Sequence, residues 1–153
     1  MTITTFIRAA LFSVALFASG LTAGAATLER IGPPMSHPWG RECLAHDTVL
    51  VTVRSGGLLR VDLADGTTTA ITGLPEVFDR RQGGLLDVAM IDGHVYLCYS
   101  AMLDGGSSTA IDRAVIEGNA LVRRETIFTG NNPSRSGHHF GCRLQVTGGM
   151  IYA

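Results

Sequence analysis

One pattern recurs along the chain: an apolar run rich in β-branched residues, a tight turn built on glycine, and a second apolar run. It first occurs as Asp47 to Arg54, Ser55-Gly56-Gly57 and Leu58 to Leu63, with Ala64-Asp65-Gly66 leading into Thr67 to Ile71. It returns as Asp87 to Ile91, Asp92-Gly93 and His94 to Ser100, followed by Thr109 to Ile116 and Ala120 to Phe128 across Glu117-Gly118-Asn119. A third copy starts at Cys142 to Thr147, turns at Gly148-Gly149 and continues through Met150 to Ala153. Short strands joined by glycine turns make antiparallel meanders, and no run between them carries helical periodicity with caps. The fold class is therefore all-β. Second strands starting near Val49, Val95 and Ile151 are spaced by 46 and 56 residues, near the roughly 40 to 50 of a four-stranded propeller blade. A β-sandwich also has short strands and frequent turns, but repetition of one meander favours a partial propeller of about three blades.

Residues 1 to 25 have a different character. A single positive charge at Arg8 precedes an apolar stretch from Ala9 to Ala18, and Ala23-Gly24-Ala25 supplies the small-x-small rule of a secretory cleavage site. We expect residues 1–25 to be a signal peptide cleaved after Ala25, and 26–153 to be the exported domain, periplasmic or secreted. The apolar run is shorter than the roughly 20 residues of a membrane span, so no stable membrane insertion is expected once the signal is gone. All twelve basic residues are arginine and scattered, and the formal net charge is −1, which gives a nucleic-acid role no support.

Cys43, Cys98 and Cys142 are too few and too dispersed for a disulfide framework or a metal motif, and each lies in an apolar run that reads as buried packing. One disulfide with a thiol left over is compatible with export, but spacing does not select the pair. The five histidines show no ligand spacing, so no metal site is expected within these residues.

Chemistry concentrates in Ser134 to Leu144, where paired imidazoles sit among glycines ahead of a strand-like run. Neutral imidazole is suited to accepting a proton near neutral pH, and glycine lets the backbone carry it into a cleft. The ordinary reading of such a pair is a turn or a satisfied surface pair. Gln82, ahead of Gly83-Gly84, carries an amide that can both donate and accept hydrogen bonds, against the ordinary reading of Arg81-Gln82-Gly83-Gly84 as a β-turn. Trp39 reads as core between blades, and Arg143 as a structural arginine at a strand edge.

The segment Gly137-His138-His139-Phe140-Gly141-Cys142-Arg143-Leu144 resembles the histidine segment of the soluble PQQ-dependent sugar dehydrogenases, the aldose sugar and glucose/sorbosone dehydrogenases. Three further segments stand in the family's order: His37-Pro38-Trp39-Gly40, Gly73-Leu74-Pro75-Glu76-Val77-Phe78 and Gln82-Gly83-Gly84-Leu85-Leu86-Asp87. Departures are Arg135 where a small residue is usual, Cys142 where serine is common, and shortened turns. The resemblance implies a six-bladed propeller with its active site at one mouth. It implies oxidation of an aldose at C1 to the lactone, with hydride passing to PQQ and an external electron acceptor following. His139 is then the catalytic base, with Gln82 and His138 at the substrate. It also implies calcium, with the calcium and most PQQ contacts supplied by later blades. We therefore expect an N-terminal part of such an enzyme, inactive by itself. The rival readings are an exported noncatalytic propeller that binds a glycan or protein, and a propeller-type sugar lactonase.

Overall fold

The computed structural model describes residues 26–153, so the expected signal peptide lies outside the described residues. Two four-stranded antiparallel sheets and a short hairpin account for all the strands among them. The first sheet is β1 (Pro38–Ala45), β2 (Thr48–Val53), β3 (Gly57–Asp62) and β4 (Thr68–Ile71), paired in that order. The second is β5 (Leu85–Ile91), β6 (His94–Leu103), β7 (Gly106–Glu117) and β8 (Ala120–Thr129), again in chain order, and β9 (Gln145–Thr147) pairs with β10 (Met150–Tyr152). Each sheet is one up-and-down meander without the crossover of a Greek-key sandwich, the arrangement of a propeller blade.

Local sequence explains the turns. Asp92 (φ +48°) and Gly93 (φ +77°) are both left-handed in the two-residue loop that pairs Ile91 with His94. Such a loop matches the natural twist of the strands it joins. Gly148 and Gly149 repeat the device between β9 and β10.

The second sheet is the middle layer. Leu50, Leu58 and Ile71 of the first sheet pack with Val88, Leu97 and Tyr99 of the second in one core. The opposite side of the same strands presents Ala89, Cys98 and Ile111 to Leu144, with Ile151 of the hairpin against them. Because successive side chains point to opposite faces, a strand covered on both sides is apolar on both, as Leu85–Ile91 is except at Asp87. Fully burying a leucine such as Leu50 or Leu97 is worth about 1.5 to 3 kcal/mol.

Several expectations need correction. Trp39 is 56% exposed: the two-residue period that turns Gly40 inward, where its N–H donates to Thr52 Oγ1 at 2.7 Å, turns Trp39 outward. Cys98 and Cys142 are not separate packing residues but a disulfide, and Cys43 is exposed on β1 while Leu44 packs inward. The run Cys142 to Leu144 is not strand, and β9 begins only at Gln145.

Candidate functional site

The site begins with a tight turn. The N–H of Gly83 donates to the carbonyl of Arg80 at 2.9 Å, and Arg81 takes φ +57°. A Cβ at Gly83 would overlap the carbonyl oxygen of Phe78, and one at Gly84 (φ +148°) would overlap that of Arg54. Paired glycines are thus what allow the chain to enter β5 at this point. The β-turn expected at Arg81-Gln82-Gly83-Gly84 stands one residue earlier, from Arg80 to Gly83, and it leaves Gln82 exposed.

The histidine segment lies alongside. The N–H of Gln82 donates to the carbonyl of Gly137 at 3.2 Å, and the N–H of His139 donates to Gln82 Oε1 at 2.8 Å. Gly137 and His139 both stand at φ +67°, and this is an uncommon, strained conformation for a residue with a side chain. Phe140 is buried next to the exposed His139, its ring meeting Phe78 edge-on at 6.1 Å. His138 is half-buried, and its N–H donates to Ser136 Oγ at 3.3 Å. The two imidazole centroids are 6.4 Å apart, with planes tilted by 57°. Strand alternation does not govern the two histidines, because the segment is a loop with Gly137 and His139 left-handed.

All three sequence-derived site residues, Gln82, His138 and His139, therefore come from two neighbouring loops, with Gln82 bonded to His139. Their chemistry is that of an open platform: an exposed histidine, a half-buried one beside it and an amide whose oxygen is engaged by backbone. A concavity of about 730 Å³ lies between Pro75–Arg80 and Tyr99, Met102 and Arg124, and it touches none of the three. A second, about 380 Å³, is lined in part by Phe78, Ser134 and Arg135.

Sequence reasoning missed two features. Asp87 is buried at 2% exposure, accepts the N–H of Leu144 at Oδ2 (2.7 Å), and faces the guanidinium of Arg143 at 3.3 Å. The signal available was a carboxylate inside the apolar run Leu85–Ile91. The second is the disulfide from Cys98 in β6 to Cys142, three residues beyond His139. Nearby, burial foremost and then the Asp87 carboxylate push the Glu42 carboxyl above its usual range.

No group of three or more His, Cys, Asp or Glu side chains that could hold a metal ion occurs among the described residues. No helix of the described residues is long and apolar enough to cross a membrane.

Comparison with known proteins is consistent in one direction. The family model described as Glucose / Sorbosone dehydrogenase matches residues 35–153. The aldose sugar dehydrogenase YliI of Escherichia coli is 30% identical over 141 residues, covering 85% of this chain and 38% of that protein. A crystal structure of a glucose dehydrogenase superposes with a TM-score of 0.72 at 29% identity, covering 78% of this chain and 37% of the other. The PQQ-bound aldose sugar dehydrogenase of Streptomyces coelicolor gives 0.60 at 26% identity, covering 69% and 34%. The chain thus spans little more than a third of the length of these relatives.

Proposed function

The chain belongs to the glucose/sorbosone dehydrogenase family, and on that premise we propose that the protein oxidises an aldose at C1 to the lactone, with His139 as general base. The observation that carries this reading is the hydrogen bond from the His139 N–H to Gln82 Oε1 at 2.8 Å. It holds a strained histidine with its ring free to meet a hydroxyl. In this scheme the imidazole takes the proton of the anomeric hydroxyl as the C1 hydrogen departs with its electron pair. PQQ, when bound, supplies the two-electron acceptor, as the PQQ-bound relative suggests. Gln82 lends its amide N–H to a sugar hydroxyl while its oxygen holds the loop, and His138 forms the wall behind. Calcium, a six-bladed ring and an external electron acceptor belong to the same proposal. Periplasmic or secreted location does too, supported by the disulfide, since such bonds persist in oxidising compartments.

A positioned general base contributes roughly 10²- to 10⁴-fold to rate, about 3 to 5 kcal/mol, whereas a wall residue acts mainly on substrate binding. In the full-length holoenzyme loaded with PQQ and calcium, His139→Ala should lower turnover by that factor. His138→Ala should chiefly raise KM, with cofactor occupancy retained in both. Turnover within about threefold of the parent for His139→Ala would remove the base from this residue. A collapse with His138→Ala alone would move it by one position.

A further inference from the structure

The turn that carries Gln82 and the loop that carries His139 are joined twice. Gln82 Oε1 accepts the N–H of His139, and Asp87 Oδ2 accepts the N–H of Leu144 at 2.7 Å. The two bonds have the same sequence offset, so segments 82–87 and 139–144 run as parallel tracks. Side chains of the first grip backbone of the second at both ends. Between the grips, Phe140 is buried against Phe78 and Cys142 is bonded to Cys98. Asp87 is itself held: a Cβ at Gly40 would overlap its Oδ1, so β1 presses directly on the carboxylate. The Arg143 guanidinium adds charge but is itself 77% exposed, and so exposed a partner contributes little.

We propose that Asp87 is a positioning residue for the reaction: by fixing the Leu144 N–H it holds the far end of the loop whose near end Gln82 fixes, and so sets the place of the His139 imidazole. This rests on the reading of His139 as base. Displacing a reacting group by about 1 Å can cost on the order of 10²-fold in rate. Loss of the Asp87 carboxylate should therefore act on turnover more than on substrate affinity. Asp87→Asn keeps an oxygen that can accept the Leu144 N–H, whereas Asp87→Ala keeps none.

The test is made on the full-length holoenzyme, with rates expressed per PQQ-loaded site and hydrogen exchange followed in peptides spanning 137–144. Asp87→Ala should lower turnover at least about tenfold with KM within about twofold, and should speed exchange at the His139 and Leu144 amides. Asp87→Asn should recover most of both. If the alanine variant does not fold, Asp87→Leu, which keeps the shape of the side chain and has no acceptor for the Leu144 N–H, carries the same expectation. Turnover within about threefold of the parent, or a fall in turnover without faster exchange in 137–144, would overturn the proposal. His139→Ala is run alongside. If it leaves turnover intact, the base assignment fails, while the exchange result still decides whether Asp87 holds the loop.

Discussion

Removing the Cys98–Cys142 bond should cost this chain much of its stability. The bond closes a loop of 44 residues from β6 to the segment just after His139. In the chain-entropy account, closing a loop of that length removes about 4 kcal/mol of freedom from the unfolded chain. Replacing both cysteines by alanine also trims Cys98, which is fully buried beside Ala89, Ile111 and Leu144. Enthalpic terms and residual structure in the unfolded chain commonly reduce the realised effect, so about 2 to 4 kcal/mol is the working range. For a chain of this size each kcal/mol shifts Tm by about 2 to 4 °C, which places the expected loss at roughly 5 to 15 °C. Melting of the Cys98→Ala/Cys142→Ala variant is compared with that of the parent, with and without dithiothreitol. The reduced parent and the variant should melt together, well below the oxidised parent. Titration of the unreduced native chain should find one reactive thiol, that of Cys43. Three reactive thiols, or a difference in Tm below about 2 °C, would refute the reasoning.

Glu42 makes a pH-dependent prediction. Its pKa is raised in the folded chain, by burial first and the Asp87 charge second, so the protonated form is favoured by folding. That stability is present below the unfolded pKa and lost as pH rises through the folded one. Glu42→Gln should accordingly raise Tm at pH 7, with the gain vanishing below the ordinary glutamate range; an equal gain at all pH values would point to another cause. Export makes a further prediction: mass spectrometry of periplasmic material should find a new N-terminus near Ala26 or Thr27, and intact Met1 on a membrane-bound product would contradict it.

Hairpins were legible in the sequence because their determinants are local. Asp92-Gly93 and Gly148-Gly149 specify turns, and the runs on either side specify strands. Gln82 and His139 were legible as polar, chemically able residues beside glycines. What stayed hidden depends on partners far along the chain. Nothing near Cys142 names Cys98, and nothing near Leu144 says that its N–H goes to a carboxylate in β5 instead of a β ladder, which is why β9 starts later than its apolar pattern suggests. Trp39 was misread because its size suggested core, whereas the inward position of its neighbour Gly40 decides its face.

The two grips on the histidine loop close on main-chain N–H groups, not on side chains. Gln82 and Asp87 hold the shape of the loop, while the side chains of His138 and His139 take no part in either grip. An amide donor is common to every residue but proline, so replacing the His138 or His139 side chain tests its chemistry while leaving both grips in place. A change at 82 or 87 alters the frame in which all of them stand.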